Sequence, residues 1–160
     1  MESYFNARDE AYQKFTREHQ ALWNRIAAKE AKKVRWSSYY HRRLNTTYHF
    51  IIPQGSTVLE VGCGRGDLLA FLKPSVGVGV DFSEGMIAAA KEMHPECEFF
   101  CADAHALPDL GRQFDFIILS DLVNDVWDVQ TVLAQLKPYC TSKTRLVINF
   151  YNRFGSSRLR

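Results

Sequence analysis

Apolar and aromatic residues recur near the start of the chain at Phe5, Tyr12, Phe15, His19, Leu22 and Ile26, intervals of seven, three, four, three and four that trace one stripe of an amphipathic helix. Neither proline nor glycine occurs before Pro53. Helical structure is therefore expected to continue, after a break near Trp36-Ser37-Ser38, into a second helix around Tyr39 to Tyr48. Pro53-Gln54-Gly55-Ser56 reads as a turn, and beyond it the pattern changes to short apolar runs separated by helix-length segments. Five strands are predicted: Thr57 to Val61, Val76 to Asp81, Glu98 to Cys101, Phe114 to Ser120 and Arg145 to Phe150. Most are continuous apolar runs, as expected of parallel strands buried on both faces. The intervening helices have readable ends. One from Asp67 to Lys73 stops at Pro74, Ser83 caps another with Glu84 in its first turn, and Asp128 caps a third that ends before Pro138.

A chain of 160 residues, 46% hydrophobic and 24% charged, is long enough to bury a core without disulfide or metal staples. No run approaches the roughly 20 apolar residues of a membrane-spanning helix, and Met1-Glu2-Ser3-Tyr4 is unlike a basic signal-peptide start, so a cytoplasmic location is expected. The four cysteines form no CxxC pair and read as reduced thiols. Cys97 and Cys101 lie near His94 and His105. If Glu98 to Cys101 is a strand, its four residues span about 13 Å, too far for one zinc or one disulfide. No metal is expected. The net charge of +2 is unevenly spread: residues 1–50 carry ten Lys/Arg against five Asp/Glu, and the remainder ten against thirteen. Such a basic front suits an anionic substrate, a membrane surface or nucleic acid, or is simply a solvated helix face.

The densest stretch is Val58-Leu59-Glu60-Val61-Gly62-Cys63-Gly64-Arg65-Gly66-Asp67-Leu68-Leu69, a strand entering a glycine-rich turn and then a helix. Backbone in such a turn can approach a ligand closely. The dinucleotide fingerprint GxGxxG is not met, because Asp67 occupies the third glycine position, which argues against a nicotinamide oxidoreductase. Glu60 either meets a ligand or caps the following helix. Asp81 ends a Val/Gly strand nineteen residues after Gly62, a spacing that fits ribose recognition. Asp103 is a ligand group or an Asx-turn residue. Tyr40, His41, Arg43 and His49 read as packing or solvated-face residues, with Tyr40 able to close over a ligand, and Trp127 and Asp128 read as packing and capping.

Glu-Val-Gly-Cys-Gly-Arg-Gly at positions 60–66 resembles the first motif of class I S-adenosylmethionine-dependent methyltransferases, and the resemblance extends in order and spacing over residues 57–150. It implies a Rossmann-like three-layer α/β/α sandwich with a mostly parallel sheet at 53–150, an N-terminal helical extension at 1–52 and a basic tail at 151–160. It further implies S-adenosylmethionine as cofactor and S-adenosylhomocysteine as product. By this resemblance Gly62 and Cys63 approach the amino-acid end, Gly64 belongs to the same cofactor-binding loop, and Glu60 orients the loop and the cofactor amino group. Asp81 holds both ribose hydroxyls, Phe82 and Met86 flank the adenine, Asp103 and Ala104 read its edge, and Ser120-Asp121-Leu122 faces the methionine part. Tyr39-Tyr40-His41-Arg42-Arg43-Leu44 with Gly-Asp-Leu-Leu at 66–69 is similar, more narrowly, to bacterial methyltransferase domains joined to a glycosyltransferase.

The implied reaction is direct displacement at the sulfonium methyl, with a small-molecule or glycan-related acceptor. Asp121, His41 and His49 are the ionisable candidates for an optional base, and no catalytic residue is assigned. The alternatives are a cofactor-binding module without catalysis and, on the basic front alone, a nucleic-acid methyltransferase. Strands six and seven of the full fold are missing from the sequence. Strand five is therefore expected to be an open edge, covered by a further part of a larger protein or by a second copy in a homodimer.

Overall fold

The computed structural model describes residues 2–30 and 39–150, with side chains in the first segment described for residues 9–28; the expected break at Trp36-Ser37-Ser38 and the basic tail lie outside the described residues. The elements run α1 (Glu2–Glu30), α2 (Tyr39–Ile51), β1 (Thr57–Val61), α3 (Asp67–Leu72), β2 (Val76–Asp81), α4 (Glu84–Met93), β3 (Glu98–Cys101), β4 (Phe114–Ser120), α5 (Val129–Gln135), a 3-10 turn (Lys137–Tyr139) and β5 (Cys140–Asn149). The five strands form one parallel sheet in the order β3-β2-β1-β4-β5.

Successive residues on a strand point to opposite faces, so a strand buried on both must be apolar throughout. Val58 and Ile118 pack on one face with Tyr48 and Ile52 from the α2 side and Leu69 and Leu72 of α3. Leu59, Val61, Ile117 and Leu119 pack on the other with Leu136 and Tyr139. At the amino ends of β1 and β4, the Thr57 N–H and Oγ1 donate to Asp115 Oδ2 at 2.9 Å, and the Asp115 N–H donates to Thr57 Oγ1 at 2.9 Å. This reciprocal pair pins the register of the two central strands.

The expected caps are present. Ser83 Oγ accepts the Met86 N–H at 3.2 Å to start α4, and Asp128 Oδ1 accepts the N–H groups of Gln130 and Thr131 at 2.9 and 3.1 Å to start α5. Lys73 turns left-handed (φ 50°) after α3. The sequence reading of β5 needs correction: the strand runs Cys140–Asn149, five residues earlier at its start than Arg145, and Phe150 lies beyond it. Phe114 pairs with Cys140 and Phe116 with Arg145, so the intervening residues form an irregularity. Thr144 Oγ1 donates to the Phe114 carbonyl at 2.6 Å and accepts the Thr141 N–H at 2.7 Å. Hydroxyls thus hold a polar stretch that shows no apolar run. Among the described residues, no helix is long and apolar enough to cross a membrane.

α1 does not stand apart from the sheet domain. It packs along α4 and passes over the carboxyl ends of the strands. Gln20 Nε2 donates to the Phe82 carbonyl at 2.9 Å. Asn24 Oδ1 accepts from Ser83 Oγ at 2.6 Å and from the Gly85 N–H at 3.3 Å. Gly85 admits this approach, since a Cβ there would lie 3.2 Å from the Ala27 Cβ.

Candidate functional site

In a parallel sheet whose strand order reverses, the loops leaving the carboxyl ends of the two central strands diverge and open a crevice. Here the reversal falls between β1 and β4, and a cleft of about 810 Å³, open mouth included, lies there. Its walls come from successive strand ends: Gly62 and Gly64 after β1, Asp81 and Phe82 after β2, Asp103 and Ala104 after β3, Ser120 and Asp121 after β4. Phe15, Thr16 and Trp23 of α1 form the roof.

The β1 loop depends on two glycines in left-handed backbone. Gly62 (φ 76°) packs so closely that a Cβ would lie 2.8 Å from Leu122 Cδ1, whereas at Gly64 (φ 52°) a Cβ would meet nothing within 4 Å. The Gly62 and Cys63 N–H groups both donate to the Val80 carbonyl, at 2.7 and 3.1 Å, which ties the loop to β2.

Asp81 is buried and lines the cleft. Its Oδ2 accepts the Gly64 N–H and its Oδ1 the Ser83 N–H, both at 2.9 Å. Burial raises its pKa above the ordinary carboxylate value against the lowering effect of these N–H groups. The Phe82 N–H bonds the same carboxyl, and of its roughly four acceptor positions at least one stays open to a ligand hydroxyl. Asp103 Oδ1 accepts the His105 N–H at 2.9 Å and His105 Nδ1 at 2.7 Å, and Oδ2 accepts the Tyr12 hydroxyl at 2.5 Å. Burial pushes this carboxyl up, but the His105 N–H, the Tyr12 hydroxyl and the His105 ring outweigh it and hold it below its usual value.

Asp121 adopts left-handed backbone (φ 56°), which is uncommon outside glycine although aspartate takes it more readily than most residues. Tyr40 Oη donates to its Oδ1 and Oδ2 at 2.7 and 2.8 Å, and Asn149 Nδ2 to Oδ1 at 2.5 Å. Burial nevertheless raises its pKa. Of the three ionisable candidates for a base, Asp121 lines the cleft. His41 sits edge-on to the Tyr40 ring at 5.6 Å, and His49 edge-on to Phe71 at 5.9 Å.

Seven of the eleven residues singled out in the sequence line this cleft: Gly62, Gly64, Asp81, Phe82, Asp103, Ala104 and Ser120. The other four support it. Tyr40 lines a separate groove between α2 and β5 and reaches the cleft only through Asp121. Met86 is buried at the start of α4, and Cys63 is buried behind the loop, its Sγ close to the position a Cβ on Gly79 would take. Glu60 is 2% exposed and faces the α3 side, where the Leu69 N–H bonds its carboxyl and Oε2 has no partner. Sequence reasoning missed the α1 roof and His105. Gln20 and Asn24 lie beside the apolar stripe, where the pattern scores them as outward-facing, so the sequence carried no clear signal that this helix covers something polar.

Four acidic side chains, Asp81, Asp103, Asp121 and Asp125, line the cleft. The arrangement suits a ligand rich in hydroxyl and amino donors that also carries positive charge.

A parallel sheet of this order, with a glycine loop and a cleft walled by strand-end carboxylates, matches the Rossmann-like fold of S-adenosylmethionine-dependent methyltransferases. Residues 58–142 match the methyltransferase domain family, and the chain belongs to it. The 2-phytyl-1,4-naphtoquinone methyltransferase of Thermosynechococcus vestitus is 32% identical over 93 residues, covering 53% of this chain and 41% of that protein. The tRNA (carboxymethyluridine(34)-5-O)-methyltransferase of Saccharomyces cerevisiae is 31% identical over 93 residues, covering 58% and 33%. The crystal structure of magnesium protoporphyrin IX methyltransferase from Synechocystis PCC 6803 with bound SAH superposes with a TM-score of 0.72 at 17% identity, covering 91% of this chain and 76% of that one. The chain spans a third to about half the length of the first curated relatives it matches.

Proposed function

We propose that this chain binds S-adenosylmethionine in the strand-end cleft and transfers its methyl group, by direct displacement, to a small-molecule or glycan-related acceptor. The observation that carries the reading is the placing of Asp81 and Asp103 at the ends of adjacent strands, facing a glycine loop open to close approach. Asp81 takes the two vicinal ribose hydroxyls with the acceptor capacity that its backbone N–H partners leave, one of them sharing an oxygen with an N–H. Asp103 and the Ala104 N–H take the base edge, with Phe82 as an apolar flank and Met86 behind it. Gly62, Gly64 and the backbone of Cys63 admit the amino-acid end, and Glu60 supports the loop from the α3 side. Ser120 and Asp121 face the region where the methyl is passed on, with Tyr40 holding Asp121.

The cofactor, when bound, supplies an electrophilic methyl on a positively charged sulfur. The chain's contribution is to hold an acceptor in line with it, and positioning of this kind is worth up to about 7–11 kcal/mol in the best cases. Where the acceptor must lose a proton, Asp121 is the group to receive it, since burial raises its proton affinity. The name of one relative, a naphtoquinone methyltransferase, supports a small-molecule acceptor, whereas that of another, a tRNA methyltransferase, supports a nucleic-acid one.

Calorimetric titration of S-adenosylhomocysteine into the purified chain is the test. Micromolar binding is expected, weakened about 10- to 100-fold by Asp81→Asn, which removes a charge-assisted acceptor while keeping its shape. A parallel titration with a nicotinamide dinucleotide should give no heat. A folded chain that fails to bind S-adenosylhomocysteine overturns the reading.

A further inference from the structure

Two segments distant in sequence converge on Asp103, α1 directly and residues 127–128 through His105. Two of its donors, the backbone N–H and ring Nδ1 of His105, come from its own loop. The third, the Tyr12 hydroxyl, comes from α1, ninety-one residues away. His105 is fixed in its turn. Its Nε2 accepts the Asp128 N–H at 3.1 Å, so the ring proton sits on Nδ1 and is directed at Asp103. The Tyr12 ring stands edge-on to the His105 ring at 5.3 Å, and Trp127 lies 6.3 Å from Tyr12 and 5.3 Å from Phe15. Of the roughly four acceptor positions of a carboxylate, both on Oδ1 are filled and one on Oδ2 is filled. A single position remains, on the oxygen that Tyr12 holds.

We propose that Tyr12 is a specificity-determining residue of the cleft: by donating to Asp103 from the α1 roof it leaves that carboxylate one oriented acceptor position, so that the site takes a purine nucleoside with an exocyclic amino group and rejects its 6-oxo counterpart. This assignment rests on the cofactor reading above.

The discrimination is one of donor against acceptor. An amino group donates to the open lone pair, whereas a carbonyl oxygen in the same place sets two acceptors against each other in a partly dry cleft. Without the Tyr12 hydroxyl the carboxyl has two positions open on Oδ2, and it can turn, admit a water, or take up a proton and donate to a carbonyl. The contacts favour the ionised acceptor. Burial, with the bond to Asp103 and its charge, pushes the Tyr12 phenol up to about 12, so it remains a donor, and the three donors together hold Asp103 below its usual value.

The experiment compares S-adenosylhomocysteine with S-inosylhomocysteine, its 6-oxo analogue, by calorimetry on the full chain. The wild type is expected to prefer the amino ligand by at least about 10-fold, and Tyr12→Phe to lower that preference about 3- to 10-fold, in proportion to one charge-assisted hydrogen bond. Asp103→Asn, whose amide can donate to a carbonyl, should bring the ratio close to one or invert it. Phe15→Ala, which thins the roof without touching Asp103, should weaken both ligands by the same factor. Because both ligands are measured on each variant, a general loss of folding or of roof packing cancels in the ratio. If wild type and Tyr12→Phe show the same ratio, or the wild type does not discriminate, the assignment is overturned while the cofactor reading stands. If the wild type binds neither ligand, the cofactor reading falls and the assignment with it.

Discussion

Glu60 shows how far a single residue can be read from a motif. Its place at the end of an apolar strand before three glycines suggested either a ligand contact or a cap. In the structure its carboxyl takes the Leu69 N–H in the first turn of α3, on the side of the sheet away from the cleft lining. Burial, opposed by that N–H and reinforced by the charges of Asp81 and Asp67, pushes it up to about 8 from an ordinary 4.5. A carboxyl raised on folding binds its proton more tightly in the native state, so unfolding releases protons and stability falls as pH rises from about 4.5 to about 8. Glu60→Gln should therefore be more stable than the wild type at pH 8.5 and close to it at pH 5. The thermal midpoint reads this directly, at about 2–4 °C per kcal/mol for a chain of this size. Some slope should persist in the variant, since burial also raises Asp81 and Asp121. A wild-type midpoint that rises over that interval would contradict the assignment. Asp81, Asp103 and Ser120 were easier to read, because a residue at the carboxyl end of a parallel strand is delivered to the crevice by the backbone itself.

At the scale of elements, α1 departs most from its reading. The stripe Tyr12, Phe15, His19, Leu22 and Ile26 has the right period, but the face that meets the protein is rotated. Leu22 is 45% exposed, while Trp23 lines the cleft and Ala27 is buried. The cause is what the helix covers. An apolar core would call for a continuous apolar face, whereas the ends of parallel strands present unpaired carbonyl and N–H groups that need partners. Gln20 meets the Phe82 carbonyl just after β2, Asn24 meets the Ser83 hydroxyl and the Gly85 N–H at the start of α4, and a count of apolar positions scores both as outward-facing. Replacing both with alanine removes three hydrogen bonds worth about 0.5–1.5 kcal/mol each. The expected outcome is faster amide hydrogen exchange throughout α1, by about 10-fold or more, with sheet amides still protected. Equal protection in variant and wild type would mean that packing alone holds the roof. The early start of β5 has a similar origin, since threonine hydroxyls bridging to Phe114 do what an apolar run does elsewhere.

On the scale of the whole molecule, the sheet carries an open side. Among the described residues β5 pairs with β4 alone, Leu146 and Ile148 are exposed along it, and Phe150 is exposed just past its end. Strand edges of this kind pair with other chains unless something blunts them. The purified chain is therefore expected to self-associate as concentration rises, and sedimentation velocity should show Ile148→Lys shifting the distribution toward monomer. A wild-type chain that stays monomeric up to millimolar concentration would sink this expectation. The sequence by itself determined the strands apart from the start of β5, the burial of β1, β2 and β4 on both faces, the glycine loop and the acids at the strand ends. All of these follow from local periodicity and from backbone that only certain residues adopt. The tertiary structure alone decided that α1 roofs the cleft, that Glu60 faces α3, and that Tyr12 and His105 orient Asp103. Each of these depends on which distant surfaces meet. A local pattern can show that a face must be buried, but the partner that buries it is set by the packing of the whole chain.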